Sequence, residues 1–202
     1  RDSVASRGLG DVYKRQVFVP QPHVLAFPAG RDGAPDFSFG RPAIFLAGAV
    51  TLLAPMVGAA HGALETVEAV LGERRPPRTS YPSLAASPGA RQLFAEATHL
   101  VHGARRGLLS AAERLDDLLP GHPVPSSERT GMQMELVTVA RQCRRAVDGL
   151  LDLHGSSSFA LSNPLQRFWR DVNVGTRHAH FTSYIAVEDH AAELVGAGPA
   201  AS

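Results

Sequence analysis

The chain has 202 residues, 44% of them hydrophobic and 19% charged, which is enough apolar material for a folded core and excludes an intrinsically disordered chain. Its 20 Lys and Arg face 19 Asp and Glu, a net charge of +1, so no global attraction to nucleic acid is expected. The single cysteine excludes an intrachain disulfide framework and fits a reducing cytoplasm.

Residues 1–16, "RDSVASRGLGDVYKRQ", resemble translated adapter sequence of the kind found at the ends of shotgun contigs. They are set aside from fold reasoning as a non-native remnant. The native chain is then expected to start at Val17, as the C-terminal part of a longer protein. "VFVP", Val17 to Pro20, reads as the end of a β-strand whose partners would lie upstream, and the Pro- and Gly-rich "QPHVLAFPAGRDGAPDFSFGRP" after it reads as a loop. Residues 17–40 are thus expected to close a β domain and link it to a helical domain over 41–202.

From Pro42 to Leu71 the chain is apolar and helix-favouring, with Pro55 as a kink. The uncharged part, Ala43 to Ala60, meets the minimum length of a membrane span. Its Ala and Gly content, its Pro, the lack of an aromatic belt and the direct run into "ETVEAV" favour a helix buried among other helices instead. Gly72 to Gly89 is a loop by its Pro, Ser and Gly content. Leu93, Phe94, Ala97, Leu100, Val101, Ala104, Leu108, Ala111, Leu115 and Leu118 then recur at three- and four-residue spacing, predicting a long amphipathic helix that ends near "PGHPVP". A third long helix is expected after Ser126 or Ser127 as N-cap, with Leu136, Val139, Cys143, Ala146, Val147, Leu150 and Leu151 on one side. "SNPLQ" marks a fourth start: Asn163 as N-cap, Pro164 at the first helical position and Gln166 reaching back to complete a capping box. A fifth, short helix should cover "EDHAAELV". Three long antiparallel helices with shorter ones make an all-α, bundle-like architecture.

The chemistry-bearing residues crowd into "GSSSFALSNPLQRFWRDVNVGTRHAHFTSY", from Gly155 to Tyr184. Nine histidines are scattered along the chain; His99 and His102 could share a helix face, but no carboxylate–histidine motif accompanies them and no metal is expected. Cys143, lone in a helical apolar pattern, reads as a small hydrophobe. Ser156, Ser157 and Ser158 follow Gly155 without the Gly-x-Ser-x-Gly of a nucleophile elbow. They serve equally as a helix-ending turn or as donors to a bound phosphate or ring. Arg170 and Asp171 could pair across helices while Trp169 fills core. His178 and His180, read as extended or loop chain, would point to one side, and an imidazole titrating near neutrality is a natural proton donor or acceptor.

As a whole, "LHGSSSFALSNPLQRFWRDVNVGTRHAH" resembles the C-terminal signature of the acyl-CoA dehydrogenase superfamily, and within it the two-component flavin-dependent monooxygenases. That resemblance implies a C-terminal helical bundle of the acyl-CoA dehydrogenase type, "VFVP" as the last strand of the middle β domain, and a homotetramer. It implies FMN or FAD, supplied in reduced form by a separate flavin reductase, and hydroxylation of a small aromatic or polyketide-type substrate with O₂. A nucleic-acid or membrane partner is not part of it, and a cytoplasmic location fits. By the same resemblance His178 is the catalytic histidine that faces the flavin, His180 faces substrate, and Ser157, Ser158 and Arg78 contact the cofactor. Acyl-CoA dehydrogenases instead abstract a proton with a glutamate; the matching place is Ala179, and no acid occurs between Arg41 and Leu64, so α,β-dehydrogenation lacks its base. An acyl-CoA dehydrogenase-like oxidoreductase and a non-catalytic helical oligomerisation domain are the alternatives.

Overall fold

The structure, a computed structural model, describes residues 20, 41–118 and 124–196. The adapter-like segment, the strand expected over 17–20 and its linker lie outside the described residues, apart from Pro20 itself. Among the described residues five α-helices follow in order: α1 (Arg41–Glu68), α2 (Pro88–Leu118), α3 (Ser126–His154), α4 (Pro164–Gly175) and α5 (Ser183–Leu194), with 3₁₀ turns at Ser156–Phe159 and Ala179–Phe181. This is the all-α antiparallel bundle that the periodicity predicts.

The three long helices form the frame and α3 is its centre, packing on α1, α2, α4 and α5. Its buried set includes Met132, Leu136, Val139, Cys143, Val147 and Leu150. Each such large side chain, fully withdrawn from water, contributes about 1.5–3 kcal/mol. Cys143 lies in this core, and burial pushes its thiol up to about 12, which leaves it an apolar filler without nucleophilic thiolate. From α1 come Leu46, Leu53, Ala60 and Val67, all at most 1% exposed. The helix runs on through Pro55 without interruption. By length and composition α1 could cross a bilayer, yet here one flank is packed on α2, α3 and α4. Close helix approach is achieved with glycine: a Cβ on Gly62 of α1 would lie 2.8 Å from Cζ of Phe168 on α4, and one on Gly107 of α2 would lie 2.8 Å from Cγ2 of Val139 on α3.

Local details depart from the sequence expectation in four places. Pro125, with no side-chain cap, precedes α3; Ser126 lies inside the helix and its hydroxyl donates to Glu193 of α5. The α4 start is as expected at Asn163 and Pro164, but the Asn163 N–H donates to the Ala160 carbonyl, so Gln166 is not needed to close the box. Helix α5 begins at Ser183, ahead of "EDHAAELV". Arg170 pairs with its own neighbour Asp171 at the exposed surface of α4, not across helices.

Candidate functional site: a serine turn and a histidine pair

Helix α3 ends because Gly155 takes φ 78° and ψ −173°, a left-handed φ that a side chain would resist and glycine adopts freely. The serines then wind into one 3₁₀ turn. Ser157 is exposed and its Oγ accepts a hydrogen bond from the Arg74 guanidinium at 2.8 Å. Arg74 belongs to the loop between α1 and α2, which is pinned by Leu84 N–H to the Arg74 carbonyl (2.7 Å) and Ala85 N–H to the Leu71 carbonyl (2.9 Å). Beneath the turn lies His154, the last residue of α3 and only 7% exposed. Its Nδ1 is 3.3 Å from Ser157 Oγ, and its Nε2 faces Arg74 Nη1 at 3.5 Å and Asn163 Nδ2 at 3.4 Å. Burial, and after it the charge of Arg74, holds the His154 pKa below its ordinary value.

Ser158 is fully enclosed and its hydroxyl has no hydrogen-bond partner among the described residues. Beside the turn a groove of about 430 Å³ is lined by Asp148, Asp152, Ser156, Phe159 and Trp169, among others. The Trp169 indole N–H donates to Asp148 at 2.8 Å, and its ring meets Phe159 edge-on at 5.5 Å. Trp169 is therefore half core and half groove wall.

The histidine pair sits at the other end of α4. Arg144 of α3 donates to the Thr176 carbonyl, and the Thr176 hydroxyl donates to Val172. Together these fasten the end of α4 to α3. Of the extended or loop chain the sequence suggests here, the structure has the second: a 3₁₀ turn over Ala179–Phe181, entered from His178. His178 caps it, its Nδ1 accepting from the His180 N–H at 3.3 Å. Its imidazole is exposed. His180 is half-buried: its ring meets Phe45 of α1 at 4.2 Å and abuts the bare backbone of Gly48. The two imidazoles stand edge to face at 5.0 Å. His180 Nδ1 is enclosed without a partner among the described residues, and burial, followed by the neighbouring His178, lowers its pKa. His180 is thus kept neutral near pH 7, while His178 is free to meet a ligand.

Of the residues singled out in the sequence, Ser157 and Ser158 share one turn and His178 and His180 another. Arg78 stands apart, exposed in the α1–α2 loop with φ 59°. Arg74, His154, Asn163, Phe45 and Gly48 complete the two clusters and were not read as site residues. Only Gly155 directly after His154 hinted that this histidine ends a helix; contact with Arg74, 80 positions away, leaves no local pattern.

Comparison with known proteins bears on the family and the fold. The C-terminal domain family of acyl-CoA dehydrogenases matches residues 50–183. The oxygenase subunit HsaA of a flavin-dependent monooxygenase from Rhodococcus jostii (strain RHA1) is 30% identical over 188 residues, 87% of this chain and 48% of that protein. The solved structure of XiaF from Streptomyces sp. with FADH2 and glycerol superposes with a TM-score of 0.76 at 27% identity, over 93% of this chain and 49% of that one. A glutaryl-coenzyme A dehydrogenase shares the fold at 19% identity and a TM-score of 0.63, over 90% of this chain and 42% of that one. The chain spans about half the length of the curated relatives it matches. By fold, signature and family match, the chain belongs to the acyl-CoA dehydrogenase C-terminal domain family.

Proposed function

We propose that the chain is the helical part of a flavin-dependent monooxygenase that hydroxylates a small aromatic or polyketide-type substrate, with reduced FMN or FAD delivered by a separate reductase. The observation that carries this reading is the pair of imidazoles at His178 and His180, with Ala179 between them, where an acyl-CoA dehydrogenase would need a carboxylate. Similarity to flavin-dependent oxygenase subunits supports it.

The donor chemistry of the serine turn fits a flavin phosphate. Arg74 and the Ser157 hydroxyl lie together, and such a cluster of donors favours an anionic oxygen over a neutral ring. Arg78 extends the positive charge of the same loop, and the unpartnered Ser158 hydroxyl would join if the turn opened. The flavin, once bound, would supply the oxygen activation. His178 is the proton-handling group at the ring, exposed and held by its bond from the His180 N–H. His180, neutral and wedged against α1, presents its edge to substrate. Burial keeps His180 neutral, so His178, 5.0 Å away, can hand on a proton without a charged imidazole beside it. A homotetramer in a cytoplasmic setting, without membrane or nucleic acid, completes the proposal.

The test is His178→Ala in the complete oxygenase. Melting temperature and reduced-flavin binding should stay close to wild type, because the exposed ring makes one long hydrogen bond. Hydroxylation should fall about 100-fold or more, the scale of losing a positioned proton-transfer group, while oxygen uptake continues with H₂O₂ in place of product. Hydroxylation coupled at wild-type efficiency would overturn the assignment.

A further inference from the structure

The hydrogen bonds beneath the serine turn can be solved for their protons. Asn163 Oδ1 accepts from the Leu165 N–H at 3.0 Å and Nδ2 lies 3.2 Å from the Ser157 carbonyl, so the amide cannot be reversed. His154 Nε2 therefore faces two groups that can only donate, the Asn163 NH₂ and the Arg74 guanidinium. A proton on Nε2 would point at both. Nε2 must be bare, and the proton of the neutral ring lies on Nδ1, which donates to Ser157 Oγ. Ser157 Oγ then accepts twice, from His154 and from Arg74. Both of its lone pairs are used, and what remains is its own O–H, with no acceptor among the described residues and an exposed side chain.

We infer that His154 is a positioning residue: held as the neutral Nδ1–H tautomer, it turns the Ser157 hydroxyl into an outward donor and so sets the turn to receive an anionic oxygen. The ring is in place because α3 ends on it, the α1–α2 loop brings Arg74, and the α4 cap brings Asn163. Arg74 is the charge that faces it, which together with burial keeps it unprotonated. Only in what the turn receives does this rest on the reading above; the tautomer stands on the hydrogen bonds alone.

The experiment uses the 202-residue chain in two arms. In the first, long-range ¹H–¹⁵N spectra of ¹⁵N-histidine protein, assigned by the resonance lost in His154→Gln, report which ring nitrogen carries the proton at pH 7.5. In the second, inorganic pyrophosphate is titrated while the fluorescence of Trp169, the only tryptophan and a wall of the adjoining groove, is followed. Expected are an Nδ1–H signature and binding by the wild type. His154→Gln, whose amide still offers one donor and one acceptor, should bind nearly as well. His154→Leu and Ser157→Ala should each bind about tenfold more weakly, the scale of one hydrogen bond to a charged group, with helical circular dichroism unchanged. An Nε2–H or charged His154, or wild-type affinity in His154→Leu, overturns the positioning role and leaves the flavin reading intact. If no chain binds pyrophosphate, the turn is not an anion site, and both the cofactor reading of it and the role of His154 fall, whichever tautomer is seen.

Discussion

At the scale of single residues, two kinds of backbone constraint meet in the loop and turn that flank Arg74. Gly155 needs a positive φ and has the residue for it. Arg78 also has one, 59°, and does not: a side chain there costs about 1 kcal/mol relative to glycine. An exposed arginine held in that conformation is unfavourable for the fold and so is a candidate for work that needs its charge. Arg78→Gly should therefore raise the melting temperature slightly, and Arg78→Ala should leave it unchanged. If the guanidinium serves the cofactor, both variants should weaken flavin binding in the complete enzyme by about tenfold, on the scale of a lost charged hydrogen bond. Equal flavin affinity in both variants and wild type would reduce Arg78 to a solvated surface charge. The left-handed φ was invisible in "RPPRTS", since the two prolines mark a turn but not which residue carries its strain.

Among the elements, what was legible followed from repetition and from local chemistry. The stripe of α2 and the apolar side of α3 return directly as Ala97, Val101, Ala104, Leu108, Ala111 and Leu115 against Leu136, Val139, Cys143 and Leu150. The Asn163–Pro164 start of α4 needs only neighbours in sequence, and it was readable. Caps that depend on another element were not: Ser126 is drawn to Glu193 of α5 and Gln166 is left out. Glycines show the same split, because a helical glycine reads alike whether it faces a neighbour or open space. In α2, a Cβ on Gly107 would meet Val139, a β-branched side chain 1% exposed with little rotamer freedom. In α3, one on Gly149 would meet nothing within 4 Å. Gly149→Ala should thus stabilise by about 0.5–1 kcal/mol through helix propensity. Gly107→Ala should destabilise by about 1–3 kcal/mol through overpacking, less that same gain. Thermal melts of the two variants check this; matching shifts of one sign would mean that α2 and α3 do not pack through Gly107.

On the scale of the whole molecule, the site consists of two clusters at opposite ends of α4, each completed by residues remote in sequence: Arg74 for one, Phe45 and Gly48 for the other. The signature segment was legible because it is continuous, whereas its supports become neighbours only after the long helices have packed. One large feature is left over once the helices have packed. The outer flank of α1 exposes Thr51, Leu52, Ala54, Pro55 and Gly58, with Leu52 at 42% and no Asp, Glu, Lys or Arg between Arg41 and Glu65. Water-facing helix surfaces normally carry charge, and an uncharged apolar flank of this kind marks a surface that another molecule covers. A second copy of the chain fits the proposed homotetramer, since a symmetric contact needs only one self-complementary patch. A bilayer would be the other cover, because α1 is long and apolar enough for it. Sedimentation separates the two. The chain should run as an oligomer without detergent and fail to float with liposomes. Leu52→Glu should shift it toward monomer with its helical content intact, because a carboxylate buried at a copy-to-copy contact costs several kcal/mol and an exposed one costs little. A monomeric wild type, or an oligomer indifferent to Leu52→Glu, would remove α1 from the interface, and flotation with vesicles would hand that flank to the membrane.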